Sequence, residues 1–425
     1  MHASTKAEGA PAVSQAGNGS PLRTFRALHY RDFRLLWTGL AVSAVGTWMQ
    51  IVAMSLLVLD LTHGSAVALG TLSLTQALSF LLFAAVGGSV ADHFDKRRLL
   101  LVTQTLMIGF AVLLGILTMT GVIRFWMILL LAFASSSALS FDQPARYALI
   151  TSLVPKEHLM NAVSLQSAVF NGASILGPAL AGLSLSRIGY SGNFFLNAAS
   201  FLAVLAALLL LRTPKALAIP KPRGRLVHSV REALRYVSHD AVLPTVVSAY
   251  AALLFFGPSP ALVLPVFAKQ VLHVGPTQLG VLFSAVGAGT VVGALILASL
   301  AGSAHDGRLV FGSILIWTAA LAVFGWSEGL RVSVPALFVA GAAQNIAGAT
   351  TITLLQMRVP PEMRGRAMSL NTLLIMCVRP LGDFPAGAII TWLGFRPAVL
   401  LAAMLVGAVS LALLVARQSR APVSE

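Results

Sequence analysis

Residues 153–165, Leu153-Val-Pro-Lys-Glu-His-Leu-Met-Asn-Ala-Val-Ser-Leu165, return 205 positions later as Arg358-Val-Pro-Pro-Glu-Met-Arg-Gly-Arg-Ala-Met-Ser-Leu370. Val154, Pro155, Glu157, Ala162, Ser164 and Leu165 recur as Val359, Pro360, Glu362, Ala367, Ser369 and Leu370. The register holds into the next apolar stretch, where Leu176, Gly177 and Gly182 recur as Leu381, Gly382 and Gly387. At an offset of 206, Ala27, Leu28 and Tyr30 recur as Ala233, Leu234 and Tyr236. A run of matches at one register, long enough to carry the apolar pattern with it, marks a duplicated unit.

The repeated unit is largely apolar. Stretches long and apolar enough to cross a bilayer fall near 35–59, 67–90, 99–121, 125–142, 161–186 and 193–211, then near 243–268, 277–300, 309–326, 333–355, 367–392 and 396–416. Twelve spans result, split six and six by the polar stretch 212–241. Composition agrees: 57% of the 425 residues are hydrophobic and only 10% charged, with a mean hydropathy of +0.85. Soluble chains carry about 25% charge, which excludes a water-soluble enzyme of this size. The reading is an all-α integral membrane protein of two pseudo-symmetric six-helix bundles in parallel orientation. Its parts are a disordered tail (1–20), a first bundle (21–211), a linker (212–241), a second bundle (242–416) and a short tail (417–425).

A formal net charge of +15 admits two explanations, a nucleic-acid surface or cytoplasmic loops that collect cations. Position decides between them. Lys6, Arg23, Arg26, Arg31 and Arg34 precede the first span, and Lys96, Arg97 and Arg98 follow the second. Arg146 and Lys156 follow the fourth, and the linker holds Arg212, Lys215, Lys221, Arg223, Arg225, Arg231 and Arg235. Arg308, then Arg358, Arg364 and Arg366, then Arg417 and Arg420 complete that side. Of the 29 basic residues, 23 thus share one face, five (Arg124, Arg187, Lys269, Arg331, Arg396) take the other, and Arg379 lies within a span. This distribution places both termini in the cytoplasm of a plasma (inner) membrane and argues against a nucleic-acid partner.

Two cytoplasmic segments read as surface helices. Residues 21–36 put Leu22, Phe25, Leu28, Phe33 and Leu36 on one face, which suits a helix on the anionic leaflet before the first span. Residues 226–239 suit a second one, after the Pro-rich start of the linker. The single cysteine, Cys377, sits in an apolar run and reads as a buried small residue. It leaves no Cys-based metal site and no disulfide framework.

After the second span comes Gly88-Ser-Val-Ala-Asp92-His-Phe-Asp95-Lys96-Arg97-Arg98. This run resembles the 2–3 loop signature of the major facilitator superfamily, Gly-x-x-Ala-Asp-Arg-x-Gly-Arg-Lys, departing from it at His93 and Asp95. Gly46-Thr-Trp-Met-Gln50, Pro144-Ala-Arg146, Phe170-Asn171, Leu176-Gly-Pro-Ala-Leu-Ala-Gly182 and Phe195-Leu-Asn-Ala-Ala-Ser-Phe201 look like the drug- and siderophore-exporter branch. The resemblance covers about residues 20–416. It implies the major facilitator fold and transport by alternating access. It also implies a cytoplasmic gate of Gly88, Asp92, Lys96, Arg97, Arg98 and Arg146, with Asp92 meeting Arg146 or the start of the eleventh span. Gly177, Pro178 and Gly182 resemble the exporter motif of span five, where a missing hydrogen bond and two small residues allow either a hinge or tight packing. Ser174 stands where that branch carries Arg.

Charge inside the spans is sparse. Asp60 and Asp142 fall near span ends, where water is expected. Arg379 and Asp383 lie mid-span, four residues apart and so on one helix face. They read as a self-neutralising pair, either structural or lining the cavity as a substrate contact or proton-linked switch. Arg379 is also the repeat-equivalent of Ser174. Gln50 and Asn171 are the uncharged polar residues placed first on the substrate path. No catalytic constellation, metal site, phosphate loop or cofactor motif emerges, so the chain is expected not to be an enzyme.

The expected function is export of a small amphipathic organic molecule, siderophore or drug-like, by proton antiport, with the chain acting as a monomer. The alternatives are a proton-coupled importer of the same fold and a transport-inactive receptor or assembly partner.

Overall fold

The computed structural model describes residues 25–212, 226–300, 307–360 and 363–420. The expected tail 1–20, residues 421–425 of the expected tail 417–425 and the Pro-rich part of the linker lie outside the described residues, while residues 417–420 are helical and end the last helix. Fourteen helices carry the fold. In the first half they are α1 (Arg31–Leu61), α2 (Ala66–His93), α3 (Lys96–Met119), α4 (Phe125–Leu153) and α5 (Leu159–Leu210). The linker helix is α6 (Leu226–His239). The second half comprises α7 (Leu243–Phe256), α8 (Pro260–Gln270), α9 (Pro276–Ser299), α10 (Arg308–Trp326), α11 (Leu330–Arg358), α12 (Arg364–Leu373), α13 (Arg379–Leu393) and α14 (Phe395–Arg420).

Among the described residues, eleven of these stretches are long and apolar enough to cross a membrane, yet the crossings number twelve. α5 has 52 residues, about 78 Å of helix against a hydrocarbon core of about 30 Å. Its course is broken at Gly189, with φ 67° and ψ −169°. Packing against α1 shows the reversal. Trp37 Nε1 donates to the Leu165 carbonyl at 3.1 Å and Gly177 lies on Val45 and Trp48, so residues 165–177 run parallel to α1. Beyond the break, Gly46 meets Asn197 and Ser200, Gly39 meets Ala203, and Arg31 reaches the Leu210 carbonyl, so the chain runs back. Gly394 carries the same positive φ (86°) exactly one repeat later, between α13 and α14. A residue with a Cβ is strained at this φ, which explains why both turns are glycine. His63 and His273, each just past the first span of its half, share a φ of 52°.

Two further crossings are interrupted helices. α7 and α8 form one span divided at Gly257-Pro258-Ser259-Pro260, where two prolines remove backbone donors. α12 and α13 form another, joined by one turn of π-helix over Leu374–Val378.

We call the side bearing the described ends and α6 the linker face, and its opposite the far face. At the linker face the lead-in segment departs from expectation. Only Arg26–His29 forms a short 3-10 turn, the extended Tyr30 separates it from α1, and Phe33 and Leu36 are buried in the first bundle. Residues 31–36 are the first turns of a span and not a helix lying on the membrane. The turn is tied to the first turn of α5 by the Ala27 N–H, which donates to Asn161 Oδ1 at 2.9 Å. The repeat-equivalent contact is made by α6: Tyr236 Oη donates to the Arg358 carbonyl at 3.2 Å, and Glu232 pairs with Arg366 at 2.6 Å. α6 forms as expected over 226–239, held to the second bundle.

Candidate functional site

The two bundles meet along two pseudo-symmetric seams. In one, α5 lies against α9. Gly182 abuts the Thr277 backbone, where an added Cβ would come within 2.9 Å of Cα, and Gly280 lies on the Pro178 carbonyl. Thr277 and Ser284 hydroxyls donate to the Gly182 and Ile175 carbonyls at 3.3 and 2.8 Å. In the other, α13 lies against α2, with Gly387 on the Ala66 backbone and Gly70 on the Asp383 and Phe384 backbone. Gly182 and Gly387 are repeat-equivalents, and so are their roles. Small residues permit this backbone approach, the usual basis of helix packing in lipid.

Both seams lie toward the far face, where side chains add a latch. Asp60, ending α1, pairs with Lys269, ending α8, and also accepts the Tyr190 hydroxyl beside Gly189. Gln270 Nε2 donates to the Gly64 carbonyl at 2.8 Å. Asp60 is exposed, as its place near a span end suggested. Its partners were not foreseen. The available signal was that opposite charges close the first span of each half.

Toward the linker face a cleft of about 250 Å³ lies between the bundles. Gln143, Pro144 and Tyr147 of α4 line it from the first bundle, and Ser369, Thr372 and Cys377 from the second. Cys377 is buried. Behind α4 sits a buried ion pair that overturns one expectation. Asp142 is fully buried and not wet; it pairs with Arg146 one turn on and accepts from Thr103 Oγ1 at 3.0 Å and Gln104 Nε2 at 2.7 Å. The donors on α3 supply what water would at the surface.

Arg146 therefore spends its charge on Asp142. α2 carries Gly88 and Asp92 in its last turns, and the expected docking of Asp92 lies outside the described residues. Lys96, Arg97 and Arg98 open α3, with Asp95 capping it through the Arg98 N–H at 2.8 Å. Arg97 donates to the Leu209 carbonyl at 2.9 Å, at the end of α5. A cation at a helix C-terminus is favourable there.

Gln50 accepts from Asn197 Nδ2 at 2.7 Å, a bridge from α1 to the returning limb of α5. Asn171 is half-buried on the other limb, next in sequence to Phe170, whose ring pairs with that of Trp48. Pro178 lies within α5, with Gly177 against α1 and Gly182 against α9.

Arg379 and Asp383 are not an ion pair. Asp383 is buried, and its carboxylate accepts the Ser259 backbone N–H at 2.8 Å. It thereby caps the N-terminus of α8 at the break in its span, where the helix dipole favours an anion. The Ser73 hydroxyl of α2 also reaches it. Arg379 opens α13 just after the π-turn, half-buried, with its Nε buried and without a hydrogen bond. Asp383 and Tyr250 of α7 are its electrostatic neighbours, and Tyr250 packs in turn on Gly348 of α11.

Known proteins of this kind are similar along nearly the whole chain. An uncharacterized MFS-type transporter, YfiS of Bacillus subtilis, is 25% identical over 412 residues, covering 92% of this chain and 94% of that protein. The enterobactin exporter EntS of Citrobacter koseri is 27% identical over 344 residues, 80% of each chain. Among solved structures, a bacterial homolog of the human lysosomal transporter Spinster, inward-facing and unoccupied, superposes with a TM-score of 0.70 at 16% identity, covering 94% of this chain and 96% of that one. Residues 22–424 match the family described as transmembrane secretion effector. With its twelve crossings in two related bundles, the chain belongs to that family of major facilitator transporters.

Proposed function

We propose that this protein exports a small amphipathic organic compound, siderophore or drug-like, by proton antiport. The observation that carries the reading is the asymmetry between the faces. Glycine seams and the Asp60–Lys269 latch close the far face, while a cleft separates the bundles toward the linker face. A bundle pair with interchangeable seams of this kind suits alternating access. The charge distribution supports a cytoplasmic linker face in the inner membrane, so the cleft opens to the compartment from which an exporter loads. The likeness to the enterobactin exporter supports the direction and the class of cargo.

In this reading Gln50, Asn171, Arg379 and Asp383 lie along the substrate and proton path. Asp383 touches both α8 and the opposite bundle through Ser73, so its protonation state is sensed by the seam between them. Gly88, Asp92, Lys96, Arg97, Arg98 and Arg146 serve closure of the linker face. Gly177, Pro178 and Gly182 form the joint on which the far-face seam opens. Small-molecule substrate and protons are the partners, and the chain works as a monomer.

Inverted membrane vesicles test this directly. Accumulation of a siderophore or drug-like substrate that collapses with an uncoupler is expected. Accumulation in right-side-out vesicles instead identifies an importer, and absence of flux for every substrate identifies a receptor.

A further inference from the structure

The positive charge of Arg379 acts electrostatically on Asp383, one turn away, but no anion touches it among the described residues. Its guanidinium makes no hydrogen bond or ion pair among the described residues, and its Nε is buried without a partner. The carboxylate one turn away is committed elsewhere, to the Ser259 N–H and the N-terminus of α8. Beside Arg379, α7 presents Tyr250, and no hydrogen bond engages its hydroxyl among the described residues. Gly348, on which Tyr250 packs, lets α11 approach, and one turn earlier Asn345 has a buried amide oxygen without a partner. Arg379 and Tyr250, from two neighbouring helices of the second bundle, thus hold unused hydrogen-bonding capacity, and Asp383 nearby spends its own on Ser259.

A guanidinium that no anion contacts within a membrane span is costly unless a ligand or partner answers it. Its planar fork of donors matches carboxylate, phosphate and sulfonate oxygens. The π-turn before Arg379 is a distortion that clusters at functional sites. We propose that Arg379 is the anchor for an acidic group of the cargo, with Tyr250 as an additional donor, so that the transported compound is an organic anion with an apolar body. This rests on the transporter reading above and adds the charge of the substrate to it.

The test is equilibrium binding to the full-length protein in lipid nanodiscs, using three probes of one shape: 2-naphthoate, the neutral 2-naphthamide and the cationic 2-naphthylmethylammonium. The expected result is at least about tenfold tighter binding of the anion. Arg379→Gln should bring affinity for the anion down to that for the neutral probe, and Arg379→Lys should keep part of the preference. In the unaltered protein, phenylphosphonate should displace 2-naphthoate and phenyltrimethylammonium should not. That arm does not depend on any variant folding.

Equal binding of the three probes, or an anion preference that survives Arg379→Gln, overturns the inference and leaves the transporter reading intact. Failure of the anion to bind the unaltered protein overturns it as well. Failure of gradient-driven flux for every substrate in vesicles is a separate outcome and strikes the transporter reading itself.

Discussion

The Asp383 carboxylate accepts the Ser259 backbone N–H at 2.8 Å across 124 residues of sequence, and so caps a broken helix without forming an ion pair with Arg379. The bond explains how a carboxylate is tolerated in a buried position within a span. The prolines at 258 and 260 interrupt the helix, the interruption exposes a donor and a dipole end, and the anion answers both. Asp383→Ala should therefore destabilise the protein by about 1–3 kcal/mol, read as a lowered Tm in detergent. Asp383→Asn retains an acceptor for Ser259, so most of the stability should remain while proton-driven flux is lost. Equal flux in Asp383→Asn and the unaltered protein removes the coupling role.

The Asp60–Lys269 latch joins the bundles at the far face, with both side chains partly exposed (44% and 38%). Exposed pairs contribute about 1 kcal/mol or less, so breaking the latch should shift the balance of states by a few-fold without unfolding the protein. Lys269→Gln should raise the labelling of far-face cysteines by an impermeant maleimide. The swap Asp60→Lys with Lys269→Asp should return labelling to its starting level. No change in Lys269→Gln assigns the pair to surface chemistry alone.

Gly182 and Gly387 each set a helix of one bundle against the backbone of the other. A leucine at either place meets backbone and not a flexible side-chain tip, and overpacking costs typically about 1–3 kcal/mol. Gly182→Leu and Gly387→Leu should both reduce transport, by preventing closure of the far face, while leaving expression and helical content unchanged. Gly109, which has open space around it, is the control: Gly109→Leu should transport normally.

Arg146 should be needed because Asp142 is buried. Arg146→Ala strands a carboxylate with only Thr103 and Gln104 to serve it. Loss of one partner from a buried pair costs about 3–5 kcal/mol, enough to lower membrane-inserted yield sharply. The double change Arg146→Leu with Asp142→Leu removes both charges and should recover most of the yield. A double variant as impaired as the single one shows that the pair serves something beyond its own neutrality.

The architecture was legible because two periodicities report it: the length of each apolar stretch and the 205-residue register that pairs Gly177 with Gly382 and Gly182 with Gly387. What those glycines touch was not legible, since sequence says that a close approach is allowed and not to which helix. The Arg379–Asp383 pairing failed for a related reason. A spacing of four puts two residues on one face, but the Gly257–Pro260 break, 124 residues from Asp383 in its nearest partner, offers that carboxylate a better site. Asp142 was misread because it stands near a span end, whereas burial is decided by Thr103 and Gln104 on a neighbouring helix. The lead-in helix was misread because the apolar face of residues 21–36 does not say whether lipid or protein covers it. Phe33 and Leu36 turn out to be covered by protein.

The central claim is that the two faces open in turn. Spin labels at Arg187→Cys and His273→Cys report the far face, and labels at Tyr147→Cys and Thr372→Cys report the cleft, each pair in a Cys377→Ser background. Distances are then measured with and without Asp60→Asn, which releases the latch. The account predicts that the far-face distance lengthens while the cleft distance shortens in the same population of molecules. Two distances that stay fixed, or that lengthen together, would contradict it.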